Sequence, residues 1–111
     1  MTELSHAFQT YQLEDRYART EGRVFLTGTQ ALARIMLDQS RRDRAAGLNT
    51  AGFVSGYRGS PLGGVDLEFW RARDRMNEAG ITFMPAVNED LGATAVLGAQ
   101  QAILDPDCAV E

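Results

Sequence analysis

Residues 85–95 of the chain read PAVNEDLGATA, and this stretch decides how the rest of the sequence is interpreted. The apolar run 81–86 that leads into it has the length and composition of a buried parallel strand. Glu89 follows directly, and a run rich in glycine and alanine then has the pattern of a helix. The stretch therefore predicts a carboxylate at the carboxyl end of a strand, in the first turn of a helix. Open α/β sheets bind ligands at such places.

A second strand-to-helix turn is predicted upstream, where the apolar run 50–55 leads into GYRGSPLGG at residues 56–64. Its glycines, beginning with Gly56, permit positive φ and a close approach of the backbone to a ligand. Pro61 pre-sets a turn, and the backbone N–H groups after it can point at a ligand. The sequence matches neither the phosphate-binding loop nor the dinucleotide-binding fingerprint. Taken alone, this turn is explained equally well as a purely structural one.

Composition excludes several classes of protein and of site. The chain has 111 residues and a net charge of -4, so its overall charge gives no case for nucleic-acid binding. All of its basic residues are arginines, which rules out a Schiff-base lysine within this chain. Cys108 is the single cysteine, so neither an internal disulfide nor an iron–sulfur cluster, which takes about four thiolates, can form within it. No apolar run approaches the roughly 18 residues of a membrane span, and we expect a cytoplasmic protein.

The first predicted helix begins near Gln30, with Thr27 or Thr29 as its N-cap and Gly47 as its stop. One stripe of this helix is apolar, and we expect it to face the core. The stripe consists of Ala31, Leu32, Ile35 and Met36.

Two further helices are predicted, one over residues 65–77 and one over about 90–104. The second is rich in small residues, which suits a close contact with another domain or subunit. Residues 108–111 have the pattern of the start of another strand.

Strands that alternate with helices predict an α/β chain with a doubly wound parallel sheet. We expect residues 1–21 to form an N-terminal arm that packs on this domain or on a neighbouring subunit. Residues 22–111 form the domain itself. Two strands are too few to cover two layers of helices, so we expect the sheet to be partial and the chain to be the front part of a larger domain.

Glu89 alone has several interpretations. A carboxylate at a strand end serves as a general acid or base, a ribose binder or a metal ligand, or merely as a favourable charge in a first helical turn. Asp90 beside it supplies that favourable charge equally well. We therefore expect Glu89, which directly follows the strand, to point inward.

The two turns together resemble the N-terminal region of the indolepyruvate ferredoxin oxidoreductase family, in its fused single-chain bacterial form. The similarity lies in residues 56–64 and 87–95 and extends to LEDRY (13–17) and FLTGTQAL (25–32). It covers nearly the whole chain from about Tyr11. The family's enzymes use thiamine diphosphate, and the resemblance places this chain at the front of the pyrimidine-binding domain of that fold.

The resemblance implies roles for individual residues. Glu89 would be catalytic and bind the cofactor, by hydrogen-bonding N1′ of its aminopyrimidine ring. Gly56, Tyr57 and Pro61 would line the cofactor site. Two more residues would meet the substrate: Ser60 lies where pyruvate-using relatives tend to carry a threonine, and Arg58 is a carboxylate partner.

The implied activity is the oxidative decarboxylation of indolepyruvate or another aryl 2-oxo acid to acyl-CoA and CO2, with reduction of ferredoxin. Mg²⁺ and [4Fe–4S] clusters would be held by parts of the protein outside this chain, and no residue here is assigned to a metal. We expect the chain alone to be inactive, and its partners to be ferredoxin, CoA, the 2-oxo acid, the remaining domains and a second copy. Two alternatives remain open: a phosphate- or nucleotide-binding module, and an oligomerisation domain without catalysis.

Overall fold

The computed structural model describes residues 10–111, so the first part of the predicted arm, residues 1–9, lies outside the described residues. Helices and strands alternate along the described chain. In order they are α1 (Asp15–Ala18), α2 (Gly28–Ala45), β1 (Gly52–Gly56), α3 (Gly63–Arg71), α4 (Arg73–Glu78), β2 (Ile81–Pro85) and α5 (Glu89–Gln101), and a short 3-10 helix (Ala102–Leu104) follows.

The two strands are parallel neighbours, joined by the crossover through α3 and α4. Gly52 lies opposite Ile81, and the register continues to Gly56 opposite Pro85. β2 falls within the predicted run 81–86, and β1 overlaps the predicted run 50–55 and extends one residue beyond it, to Gly56. The chain is therefore a mixed α/β structure with a parallel sheet, which confirms the predicted class in its general form.

The hydrophobic core lies on one face of this sheet, under α2, α3 and α4. Phe69 of α3 stacks on Phe83 of β2 with ring centroids 5.4 Å apart, and Trp70 meets Phe83 edge-on at 5.7 Å. Met76 and Ile81 are the largest fully buried side chains. Trp70 is 37% exposed and lies at the margin of the core.

Helix α2 begins as the sequence predicts but is rotated about its axis. Thr27 is the N-cap and forms a capping box with Gln30. The residues of α2 that are buried are Ala33 and Leu37, whereas Leu32 is 48% and Ile35 58% exposed. The predicted core stripe is therefore wrong for Leu32 and Ile35. The physical reason is that α1 and α3 both pack against α2, and these contacts choose which face is buried.

The predicted single helix over residues 65–77 is two helices. The break lies at Ala72, whose φ of -92° and ψ of 4° are outside the helical region, and whose side chain is buried. The bend lets α3 pack against α2 while α4 contacts β2. Local periodicity does not reveal this break because the apolar spacing continues through it.

The described part of the predicted arm is an integral part of the domain. Tyr17 of α1 belongs to the core, and its hydroxyl donates a 2.9 Å hydrogen bond to Glu68 Oε2. Arg34 of α2 donates to the carbonyl oxygens of Arg16 and Arg19, each at 2.6 Å. Residues 15–19 therefore pack on the domain of their own chain.

Within residues 10–111, no helix combines the length and the apolar character that crossing a bilayer requires.

Candidate functional site

The carboxyl ends of β1 and β2 place the two predicted turns at the same edge of the sheet, because the strands are parallel. The glycine-rich turn leaves β1 at Gly56, and the turn that carries Glu89 leaves β2 at Pro85. Ala86 N–H donates a 2.8 Å hydrogen bond to the Gly56 carbonyl, which joins the two turns directly. The two turns are therefore neighbours in the structure.

Between the turns lies an apolar groove with a volume of about 660 Å³, in the size range of small-molecule sites. One wall comes from α2, α3 and the glycine-rich turn, the floor from β1 and Phe83, and the other wall from α5. Most of the accessible surface of the groove is apolar. The polar side chains among the lining residues are those of Ser55, Tyr57, Ser60, Asp66, Glu89 and Gln100.

The glycine-rich turn is a pair of tight hydrogen-bonded turns. Ser60 N–H donates to the Tyr57 carbonyl at 3.1 Å, and Gly63 N–H donates to the Ser60 carbonyl at 3.0 Å. A Cβ added at Gly63 would collide with the backbone oxygen of Arg58, so this position requires glycine. Leu62 N–H also donates to Ser60 Oγ at 3.2 Å. The hydroxyl hydrogen of Ser60 remains available to a ligand.

The predicted site residues of this turn separate into two groups. Gly56, Tyr57 and Ser60 line the groove, whereas Pro61 and Arg58 are exposed and are not among the lining residues. Arg58 instead points to Asp66, with Nε 3.1 Å from Oδ2.

Asp66 is a residue that sequence reasoning missed. Its side chain is only 3% exposed, it lines the groove, and its Oδ1 is buried without a hydrogen-bond partner among the described residues. A buried carboxylate oxygen without a hydrogen-bond partner lowers the stability of the fold, so such a group calls for a functional role or a further partner. One signal for Asp66 was present in the sequence, an acid in the first turn of the helix that follows the glycines, but helix-dipole stabilisation explains such an acid equally well.

Glu89 lies in the first turn of α5, as predicted, and is among the residues that line the groove, but its side chain is exposed. The cap of α5 is Asn88, whose Oδ1 accepts the Leu91 N–H at 2.8 Å. Asp90 shares the first turn and is not among the lining residues. Within residues 10–111, the Glu89 carboxylate takes part in no hydrogen bond or ion pair, so it is free to meet a ligand.

Helix α5 approaches β1 closely because Gly92 faces the sheet. A Cβ at this position would lie 3.4 Å from Ala86 Cβ and 3.5 Å from Ser55 Oγ, both on the strand side of the helix. Gly92 is the buried residue of α5, whereas Leu91 and Leu97 are more than half exposed. The small residues near the start of α5 thus bring Glu89 to the sheet edge and leave the helix's larger apolar side chains uncovered.

A second, polar pocket of about 440 Å³ lies beside Tyr17, and its charges are largely matched within it. Arg71 pairs with Glu68 at 2.7 Å, and Arg75 pairs with Glu14 at 2.9 Å. Among residues 10–111, no cluster of three or more histidine, cysteine or acidic side chains is arranged to hold a metal ion. The groove is therefore the better candidate for a functional site.

The chain was compared with protein-family models, with curated proteins and with solved structures, and no match was found in any of the three.

Proposed function

We propose that the groove binds the pyrimidine ring of thiamine diphosphate, and that the chain is the front of the pyrimidine-binding domain of a 2-oxoacid:ferredoxin oxidoreductase. The observation that carries the proposal is that Glu89 and the turn of Gly56, Tyr57 and Ser60 line one apolar groove. A free carboxylate at the mouth of an apolar slot suits a flat, nitrogen-containing ring, because the slot takes the ring and the carboxylate takes a ring N–H.

The residues that line the groove suit the pyrimidine half of the cofactor in their chemical type. Glu89 would hold N1′ of the pyrimidine, and Asn88 leaves it free to do so by supplying the helix cap. When bound, the cofactor supplies the electron sink for decarboxylation. A domain that closes over the groove would exclude water and so strengthen the hydrogen bond that Glu89 makes. The diphosphate, Mg²⁺ and [4Fe–4S] clusters would be held by other parts of the enzyme.

The substrate would be indolepyruvate or another aryl 2-oxo acid, at the side of the groove formed by the glycine-rich turn. Ser60 offers a hydroxyl hydrogen there. Arg58 would have to leave Asp66 to bind a substrate carboxylate, and its 70% exposed side chain has room to turn. CoA and ferredoxin would be the other reactants, and a second copy of the protein is the expected subunit partner.

The test is a matched pair of variants, Glu89→Gln and Asp90→Asn. The two acids are neighbours in the same exposed helical turn, but only Glu89 lines the groove. The 15N-labelled chain is titrated with 4-amino-5-hydroxymethyl-2-methylpyrimidine, and amide shifts are followed by NMR. We expect the ligand to shift the amide signals of Gly56, Tyr57 and Glu89 in the parent chain. Glu89→Gln should weaken the affinity for the ligand at least tenfold, whereas Asp90→Asn should leave the affinity unchanged. An absence of shifts in the parent chain, or an equal affinity of the parent chain and both variants for the ligand, would overturn the proposal.

The anion-binding alternative has less support from the groove. Two carboxylates, Glu89 and Asp66, line it, and no arginine is among its lining residues. A phosphate group placed there would meet like charges without a counterion. Inorganic phosphate added in the same NMR titration should therefore leave the groove amides unshifted.

A further inference from the structure

Asp66 is a groove residue to which the proposed function gives no role. Its side chain is only 3% exposed and belongs to the wall of the groove that α3 contributes. Arg58 Nε donates to its Oδ2 at 3.1 Å, whereas the buried Oδ1 has no hydrogen-bond partner among residues 10–111. Because Arg58 accounts for one oxygen only, the other oxygen is left for a donor that a ligand supplies.

Asp66 and Glu89 lie on facing walls of the groove, the one on α3 and the other on α5. An ionised carboxylate only accepts hydrogen bonds, so each of the two takes an N–H or O–H from a ligand. Other lining residues, among them Leu62, Val65 and Phe83, are apolar. The ligand chemistry that fits is a flat, mostly apolar ring with a donor at each of two opposite ends.

The pyrimidine of the proposed function has this arrangement of donors. Its ring nitrogen N1′ and the amino group on C4′ stand at opposite positions of the six-membered ring. With N1′ at Glu89, the amino group is directed towards the wall that carries Asp66. Arg58 has a 70% exposed side chain and room to turn, so the amino group can reach the covered Oδ1. A hydrogen bond to a charged acceptor, made in an apolar surrounding, is a strong one.

We propose that Asp66 Oδ1 accepts a hydrogen bond from the 4′-amino group and thereby makes the groove selective for aminopyrimidines. An oxopyrimidine places a carbonyl oxygen at the same position, where two acceptors would face each other and neither would gain a hydrogen bond. Asp66 is then the residue that determines ligand specificity, whereas Glu89 holds the ring nitrogen. The inference rests on the proposed function and adds a second contact, testable by itself, to the same site.

The test compares two ligands of nearly equal size, 4-amino-5-hydroxymethyl-2-methylpyrimidine and its 4-oxo analogue. Both are titrated into the 15N-labelled full chain, and their dissociation constants are measured by NMR. Asp66→Asn is the informative variant, because Arg58 Nε is a donor and holds the amide oxygen of the asparagine. The amide NH2 group then takes the place of Oδ1, so a donor replaces an acceptor.

We expect the parent chain to bind the amino ligand more tightly than the oxo analogue, and Asp66→Asn to lower this preference by about tenfold or more. Such a factor is what one hydrogen bond to a charged group contributes. The exchange of substituents also alters the ring nitrogen that meets Glu89. The decisive quantity is therefore the change in preference between the two chains, in which the effect at Glu89 cancels.

Glu68→Gln is the matched control. Glu68 is a second buried acid of α3, but it bonds to Tyr17 and Arg71 and is not among the lining residues of the groove. Neutralising it removes a buried charge from the same helix and leaves the groove as it is. The preference for the amino ligand should therefore equal that of the parent chain.

A measurement on the parent chain does not depend on how the variants fold. In 13C-labelled protein, the carboxyl 13Cγ signal of Asp66 is identified through its Hβ protons. This signal should move when the amino ligand saturates the groove, because the carboxylate gains a hydrogen bond. With the oxo analogue at saturation, the signal should move much less.

Three results would overturn the inference. They are an unchanged preference in Asp66→Asn, an equal loss of preference in Glu68→Gln, and an Asp66 13Cγ signal that the amino ligand does not move. If the amino ligand binds in a way that depends on Glu89 but not on Asp66, the proposed function stands and this inference fails. If the amino ligand does not bind to the parent chain, both fail.

Discussion

Tyr17 connects the first part of the chain to the core through one buried hydrogen bond. Its hydroxyl donates to Glu68 Oε2, while Glu68 Oε1 accepts from Arg71 at 2.7 Å. Burial, and then the hydrogen bond to the Glu68 carboxylate, raise the pKa of Tyr17 from 10.0 to about 12. Both effects disfavour a phenolate beside the carboxylate.

The raised pKa of Tyr17 predicts a loss of stability in alkaline solution. Because the folded-state pKa lies above the unfolded one, the stabilisation is fully present below pH 10 and is lost as the pH rises towards 12. The chain has no lysine to titrate in the same range. Urea unfolding followed by circular dichroism at pH 8, 10 and 11 should show this loss.

Tyr17→Phe should remove the part of the alkaline loss of stability that is caused by Tyr17. At neutral pH it should also lower the free energy of unfolding by about 1–2 kcal/mol, because buried Glu68 loses a donor. Tyr11→Phe is the control, since Tyr11 bonds to the exposed backbone of Phe25. An alkaline decline that is as steep in Tyr17→Phe as in the parent chain would contradict the assignment.

At the scale of a secondary-structure element, the first turn of α3 shows that packing decides where glycine is required. Two glycines, Gly63 and Gly64, open this helix, and they have different surroundings. A Cβ at Gly63 would collide with the Arg58 carbonyl, whereas a Cβ at Gly64 would make ordinary contact with Thr29 Cγ2 at 3.7 Å. The first glycine is required by packing, and the second is not.

This difference predicts opposite effects of two alanine substitutions. Gly63→Ala should lower the free energy of unfolding by about 1–3 kcal/mol, the usual cost of overpacking. Gly64→Ala should raise it by up to about 1 kcal/mol, because alanine has the higher helix propensity. Paired urea titrations measure both changes, and a shift in the same direction for the two variants would disprove the packing account of Gly63.

Elements with strong local signals could be predicted from sequence. Capping chemistry predicts a threonine N-cap, Thr27 or Thr29, and Gly47 as a helix stop, and short apolar runs predict the two strands. Gly47 indeed has a φ of 77°. The rotation of α2, the bend at Ala72 and the Arg58–Asp66 pair could not be predicted, because each depends on which distant elements meet.

In the candidate site, the sequence predicted that Glu89 and the glycine-rich turn each follow a strand, and parallel strands bring their carboxyl ends together. The functional roles of these residues stay predictions. The exposure of Glu89 was not predicted, since exposure depends on what covers the groove rather than on the local sequence.

For the whole molecule, the proposed function makes a negative prediction. The groove offers a place for a pyrimidine ring but, within residues 10–111, no metal-ligand cluster for a diphosphate-bound ion. The isolated chain should therefore not decarboxylate indolepyruvate above the rate without protein, even with thiamine diphosphate, Mg²⁺ and CoA present. Measured CO2 release that Glu89→Gln abolishes would contradict this prediction.

The order of contacts along the chain has a consequence for synthesis on the ribosome. Arg34 donates hydrogen bonds to the carbonyl oxygens of Arg16 and Arg19. These three residues leave the exit tunnel early and close together. The sheet cannot form until Ile81–Pro85 has emerged, because β1 has to wait for β2. The nascent chain can thus assemble α1 on α2 first, while β1 and its apolar side chains stay available to chaperones until the crossover is complete.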